Sequence, residues 1–218
     1  MILALLLSSL LGPVASLAKG AQVFCADEAG NQKKPRLTVK AGGGNTLFLC
    51  AVSAKKRKGR LEVSGFKVFS VNRAGVKRGK VLFQSELGSR KFTAAASGAK
   101  MVLSELISDG KARVPAFENV LSCDKTGCAA TPPACAFKKP VADQKALGAI
   151  EEYRHGEKQG KVPPPRLIDR LATLAYSGSN EALAVFRDRG GMGLDGETSA
   201  RYYEHQDTIE RLRKSGCL

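Results

Sequence analysis

The sequence has no tryptophan, two histidines and few aromatic side chains of any kind, 6% in all. Two histidines leave little material for a His-rich metal site. Scarce aromatics disfavour a single-stranded nucleic-acid platform, where bases stack on successive rings, and no nucleic-acid module is legible either. Acidic residues are also few: 20 Asp and Glu stand against 35 Lys and Arg, a formal net charge of +15. No apolar run reaches the roughly 20 residues that span a bilayer as a helix. Neither G-x-S-x-G nor H-E-x-x-H occurs, and none of the asparagines lies in an N-x-Ser/Thr acceptor. The last absence leans a secreted chain toward a bacterial envelope.

The beginning of the chain reads as a targeting segment. The run from Ile2 to Gly12, ILALLLSSLLG, has the length of a signal-peptide core, and Ser16-Leu17-Ala18 fits small-x-small cleavage. No basic residue precedes the run, a departure that a start upstream of Met1 would explain. Residues 1–18 are therefore expected to be a signal peptide, and the mature chain an exported one, periplasmic or extracellular, with no transmembrane segment. The six cysteines, Cys25, Cys50, Cys123, Cys128, Cys135 and Cys217, then become a disulfide set. Asp124-Lys125-Thr126-Gly127 has turn composition, so Cys123 and Cys128 are expected to face each other across a hairpin. Cys25–Cys50 and Cys135–Cys217 remain as the other two bridges. The last would tie the end of the chain back to its β-rich part. Zinc is the weaker reading, because no C-x-x-C pair and no nearby histidine supports it.

Two textures divide the chain. Up to about residue 138, short runs rich in Val, Leu, Phe and Thr alternate with Gly, Asn, Ser and Lys. Strands are expected at 22–25, 36–40, 46–52, 61–71, 80–85, 91–95 and 117–123. Ala41-Gly42-Gly43-Gly44-Asn45 reads as a turn, and Gly65 as a bulge or bend. Residues 102–107 fit either a helix or a buried strand. Beyond Pro140 the period becomes helical. Leu167, Ile168, Leu171, Leu174 and Ala175 form one apolar face behind Pro165. Further helices are expected near 142–155, after Ser179 or Asn180, and from about Glu197 to Ser215. The expected fold is α+β: an N-terminal antiparallel β-sandwich or barrel-like domain over 19–138, followed by a small C-terminal helical bundle over 139–218 packed on the first.

Several motif matches fail on context. Gly191-Met192-Gly193-Leu194-Asp195-Gly196 matches G-x-G-x-x-G, but it follows a helical segment where the phosphate-binding turn requires a strand. Ser97-x-x-Lys100, its second copy Ser53-x-x-Lys56, Ser108-Asp109-Gly110 and Lys125-Thr126-Gly127 imitate penicillin-binding fragments without their spacing. His205 shares the apolar face of the last helix, which marks a hydrogen-bonded core-edge residue rather than a catalyst. No catalytic residue, metal ligand or cofactor is assigned.

Charge carries the functional signal. Residues 1–60 hold 10 basic and 2 acidic side chains, 61–140 hold 13 and 6, and 141–218 hold 12 of each. The excess therefore sits in the β-rich part. Lys33 and Lys34, the stretch Lys55, Lys56, Arg57, Lys58 and Arg60, and Arg90 and Lys91 are the candidate binding residues. In a simple meander their loops share one end of the sheet, while the loop from Arg73 to Lys80 lies opposite. The expected activity is non-enzymatic: binding or adapting an anionic envelope polymer (lipopolysaccharide, acidic glycan or peptidoglycan) or an acidic protein. A secreted hydrolase or inhibitor with a cleft between the halves is one alternative, and a structural component of an envelope complex the other. Nucleic acid is the disfavoured anion.

Overall fold

The computed structural model describes residues 14–18, 22–26, 32–57, 60–72, 80–86, 90–110, 112–188 and 193–218. Of the segment expected to be a signal peptide, only β1 (Val14–Ala18) is described; it pairs antiparallel with β2 (Gln22–Ala26), which also pairs with β3 (Gln32–Lys33). A second, nine-stranded sheet follows. Its members are β4 (Leu37–Lys40), β5 (Asn45–Arg57), β6 (Arg60–Asn72), β7 (Lys80–Ser85), β8 (Lys91–Ser97), β9 (Lys100–Ser108), β10 (Arg113–Cys123), β11 (Cys128–Ala130) and β12 (Ala134–Cys135). The order along it is β11-β10-β9-β8-β6-β5-β4, with β7 pairing β6 and β12 pairing β10. Then come α1 (Gln144–Leu147), α2 (Ala149–Lys158), α3 (Pro165–Ser177), α4 (Asn180–Asp188) and α5 (Gly196–Lys214). The class is thus α+β, a large antiparallel sheet followed by helices.

The stretch that fitted either helix or strand is β9. Met101, Leu103, Glu105 and Ile107 are buried on one side of it, and Ser104 is buried on the other, with Val102 and Leu106 half-buried beside it. A strand covered on both faces loses the simple alternation that would have distinguished it from a helix.

The chain forms two compact units, one of residues Met1–Glu105 and Glu118–Ala134, the other of Leu106–Phe117 and Cys135–Leu218. In the first, Val39, Leu47, Leu49, Phe66, Val68, Phe92, Met101, Leu103 and Leu121 make a continuous core. A smaller cluster holds Cys25, Cys50, Phe69 and Val71. In the second, the end of the β9–β10 hairpin contributes Ile107, Ala116 and Phe117 to a core otherwise built by the helices. Those apolar residues explain why the hairpin end belongs with the helices, although the chain's texture changes only near residue 140. Cys135 and Cys217 both fall in this second unit, so their bridge closes it on itself.

Local chemistry fixes the ends of elements. Pro165 opens α3, where a missing N–H costs nothing, and Gly178 ends it with φ +100°. Asp195 caps α5 by accepting the Thr198 N–H at 2.8 Å. In the turn between β10 and β11, Asp124 accepts from the Thr126 hydroxyl and from the N–H groups of Thr126 and Gly127. These bonds, the hydroxyl's first, hold its carboxyl below the ordinary value. The bridges are Cys25–Cys50, Cys123–Cys128 and Cys135–Cys217, the same pairs reached from the sequence.

The glycine turn Gly42–Gly44 sits against that β10–β11 turn. A Cβ on Gly43 would lie 2.0 Å from the Asp124 carbonyl oxygen, whereas one on Gly44 would meet nothing within 4 Å. Both have positive φ, +65° and +73°. Gly44→Ala is therefore expected to carry only the backbone penalty of about 1–2 kcal/mol. Gly43→Ala adds displacement of a neighbouring main chain, for a total of at least about 3 kcal/mol. Urea unfolding of the two variants tests this, and equal losses would contradict the close approach.

Candidate anion-binding face

The β5–β6 hairpin pairs without a register shift from Asn45–Asn72 to Arg57–Arg60. Its inward face nevertheless changes midway. Near the Asn45 end, Leu47, Leu49, Phe66 and Val68 point into the core. Toward Arg57, Ala54, Leu61 and Val63 take over that role. Directly opposed residues share a face, and successive ones alternate. The inward set has therefore moved by one residue, between the pairs Ala51–Phe66 and Ser53–Ser64. Gly65 lies there with φ +56°, a conformation glycine enters freely. Cys50 and Phe69, on the side of Ala54 and Val63, are also buried, so both sides are covered near Asn45 and only the side of Leu47 opens toward Arg57, with no bulge in the β5–β6 ladder.

That opening decides where the charges go. The side that Leu47 and Leu49 share with Ser53, Lys55 and Arg57 on this unshifted ladder is covered near Asn45 and open toward Arg57. There, Ser53, Lys55, Arg57, Arg60, Glu62 and Ser64 occupy the outward face. Arg57 stands directly opposite Arg60, and Lys55 opposite Glu62. Lys55, Arg57 and Arg60 are exposed. Glu62 is the one carboxylate on this face among the described residues; its Oε1 lies 3.7 Å from an Arg57 guanidinium nitrogen. Arg60 and Lys55 have no carboxylate within ion-pair distance among the described residues.

The other candidates are placed as follows. Lys56 is exposed but belongs to the face of Leu61. Lys58 lies outside the described residues. Lys91 is exposed; β8 runs beside β6 with Phe92 opposite Val63, so the next position along the ladder sets Lys91 beside Ser64. Arg90 is tied to the buried carboxylate of Glu105 at 3.6 Å, a structural pairing that a sequence without register could not reveal. Lys33 lies on β3 opposite Cys25. It and Lys34 precede β4 on the side of the Arg57 end of β5, since Arg36 donates its N–H to the Leu49 oxygen. Arg73, Lys77 and Arg78 lie outside the described residues, while Lys80 pairs with Ser70, toward the Asn45 end of the hairpin.

In the helical unit, His205 is 2% exposed. Its Nδ1 is 3.0 Å from the Tyr176 hydroxyl and its Nε2 is 3.1 Å from Asp169 Oδ1. Arg201 donates to the other oxygen of Asp169 and to Glu197. Burial pushes the Tyr176 hydroxyl far above its ordinary pKa, so it stays neutral. This chain of satisfied polar groups positions α3 against α5. From the sequence only His205 stands out, because its partners sit about 30 residues away on another helix. A cleft of about 530 Å³ between α4 and α5 is lined by Leu183, Phe186, Arg187, Ile209 and Arg213 among others, but not by His205.

The motif fragments do not assemble. Ser53 and Lys56 point to opposite faces of β5, Ser97 and Lys100 flank the β8–β9 turn, and Lys125-Thr126-Gly127 occupies the Cys123–Cys128 turn. Cys217 is bridged, so no thiol serves His205. No group of three or more His, Cys, Asp or Glu among the described residues is arranged to hold a metal ion. No described helix is long and apolar enough to cross a membrane. No protein-family model matches the chain, and no curated protein or solved structure is detectably similar to it.

Proposed function

We propose that this chain is an exported, disulfide-bonded binding or adaptor protein. In this reading, the outward face of the β5–β6 hairpin contacts an anionic polymer or an acidic partner of the cell envelope. The observation that carries the reading is the gathering of Lys55, Arg57 and Arg60 on one exposed face with a single carboxylate between them. Such a face raises the local concentration of anions and steers them to one surface. Lys91 extends it onto β8. Three disulfides fit an oxidising compartment.

Retention on an immobilised anionic polymer tests this. Binding is expected to weaken with salt, because each cation placed on the polymer releases a counterion. The triple variant Lys55→Gln, Arg57→Gln, Arg60→Gln is expected to lower the slope of log affinity against log salt by about three. An unchanged slope would remove this face from the binding surface.

A further inference from the structure

We infer that the anion this face is built to take is a phosphoryl group held between Arg57 and Arg60; the inference rests on the polyanion reading above and names its ligand chemistry. The starting point is the direct opposition of the two arginines across the hairpin. Opposed side chains on an antiparallel pair start about 5 Å apart, and like charges in that position weaken the pairing. Glu62 relieves one of them only, from 3.7 Å, and Arg60 has no carboxylate within ion-pair distance among the described residues. Both are exposed at the end of the ribbon, where no core packing offsets the repulsion. An anion seated between the two guanidinium groups turns this repulsion into attraction.

Arginine chemistry selects the anion. Each guanidinium offers a rigid planar fork of N–H donors, and two opposed forks need an acceptor with oxygens directed to both sides. The free oxygens of a phosphoryl group, three on a monoester with a charge of about −1.5 to −2 and two on each interior unit of a polyphosphate chain, spread tetrahedrally and reach donors on both sides. A carboxylate is planar and singly charged; it fills one fork and leaves the other unpaired. Around the pair the face supplies softer contacts. Lys55 stands two residues from Arg57, about 7 Å along the strand, where it meets the next anionic group of a polymer as a point charge. Ser53 and Ser64 form the row behind it. The phosphoryl group can belong to a lipid headgroup or to a phosphorylated polymer, which share this chemistry.

The test compares affinity for polyphosphate and for polyglutamate of matched chain charge at one salt concentration. The wild type is expected to prefer polyphosphate about tenfold, the scale of one good charge-assisted contact. Arg57→Lys with Arg60→Lys keeps the charge and removes both forks. This variant is expected to lose more affinity for polyphosphate than for polyglutamate, so that the preference disappears. An unchanged unfolding midpoint confirms that the comparison concerns binding. The single lysine variants, each expected to lose part of the preference, give a second route if the double variant unfolds. A preference that survives in the double variant, or is absent from the wild type, overturns the inference and leaves the polyanion reading standing. Retention of the wild type on neither polymer overturns that reading itself. Flotation with phosphatidylcholine vesicles containing phosphatidic acid assigns the group to a lipid; binding to polyphosphate without flotation assigns it to a polymer.

Discussion

Replacing Cys135 and Cys217 together by alanine is expected to lower the stability of the helical unit by about 4–5 kcal/mol. The bridge closes a sequence separation of 82 residues, and the entropy it removes from the unfolded chain grows with the logarithm of that length. The same relation gives about 3.5 kcal/mol for Cys25–Cys50, separated by 25, and about 2 kcal/mol for Cys123–Cys128, separated by 5. The first loss is a large part of the stability of an ordinary domain. It falls where the chain needs holding: Cys217 follows α5 directly, its N–H bonded to the Leu212 oxygen at 2.8 Å. Without the bridge, β12 is no longer pinned to the end of the last helix. Urea unfolding followed by the helical circular dichroism signal measures the effect. A loss no greater than that of the Cys123–Cys128 variant would contradict it.

The second large effect is expected from Phe186→Ala, about 3–5 kcal/mol in the same unit. Phe186 is 1% exposed and stacks on Tyr202 with ring centroids 5.2 Å apart. It also meets the edge of His205 at 6.1 Å. Its backbone oxygen accepts the Tyr202 hydroxyl at 3.0 Å and the Gln206 amide at 2.6 Å. Removing the ring opens a cavity beside those bonds and beside the imidazole that links α5 to α3. Phe186→Leu keeps most of the volume and is expected to cost less than half as much. Equal losses for alanine and leucine would show that the ring's stacking, rather than the volume it fills, stabilises the α4–α5 contact.

How far the sequence reached can be judged from particular residues. Leu167, Ile168, Leu171 and Leu174 stated α3 plainly because one repeated face is buried. The start of α3 at Pro165 was legible because its chemistry is local. β9 was ambiguous because both of its faces are covered. The membership of Ile107 and Phe117 in the helical core was invisible, since it depends on which surface their hairpin meets. At the candidate face, the sequence exposed the charge but not its direction. Arg57 and Arg60 come into opposition only through the hairpin register, and they are exposed because the side they lie on is uncovered toward the hairpin end. The capture of Arg90 by Glu105 was equally hidden, because it joins elements 15 residues apart through a buried carboxylate.

If the outward face of the β5–β6 hairpin is the binding surface, an anionic polymer perturbs that face and leaves the helical unit alone. Backbone amide shifts of the intact, oxidised protein titrated with polyphosphate test it most directly. Saturable shifts are expected at residues 53–57, 60–64 and 91, suppressed by added salt, while 141–218 stay still. Shifts centred on the helical unit, or spread evenly over exposed lysines with no saturation, would contradict it.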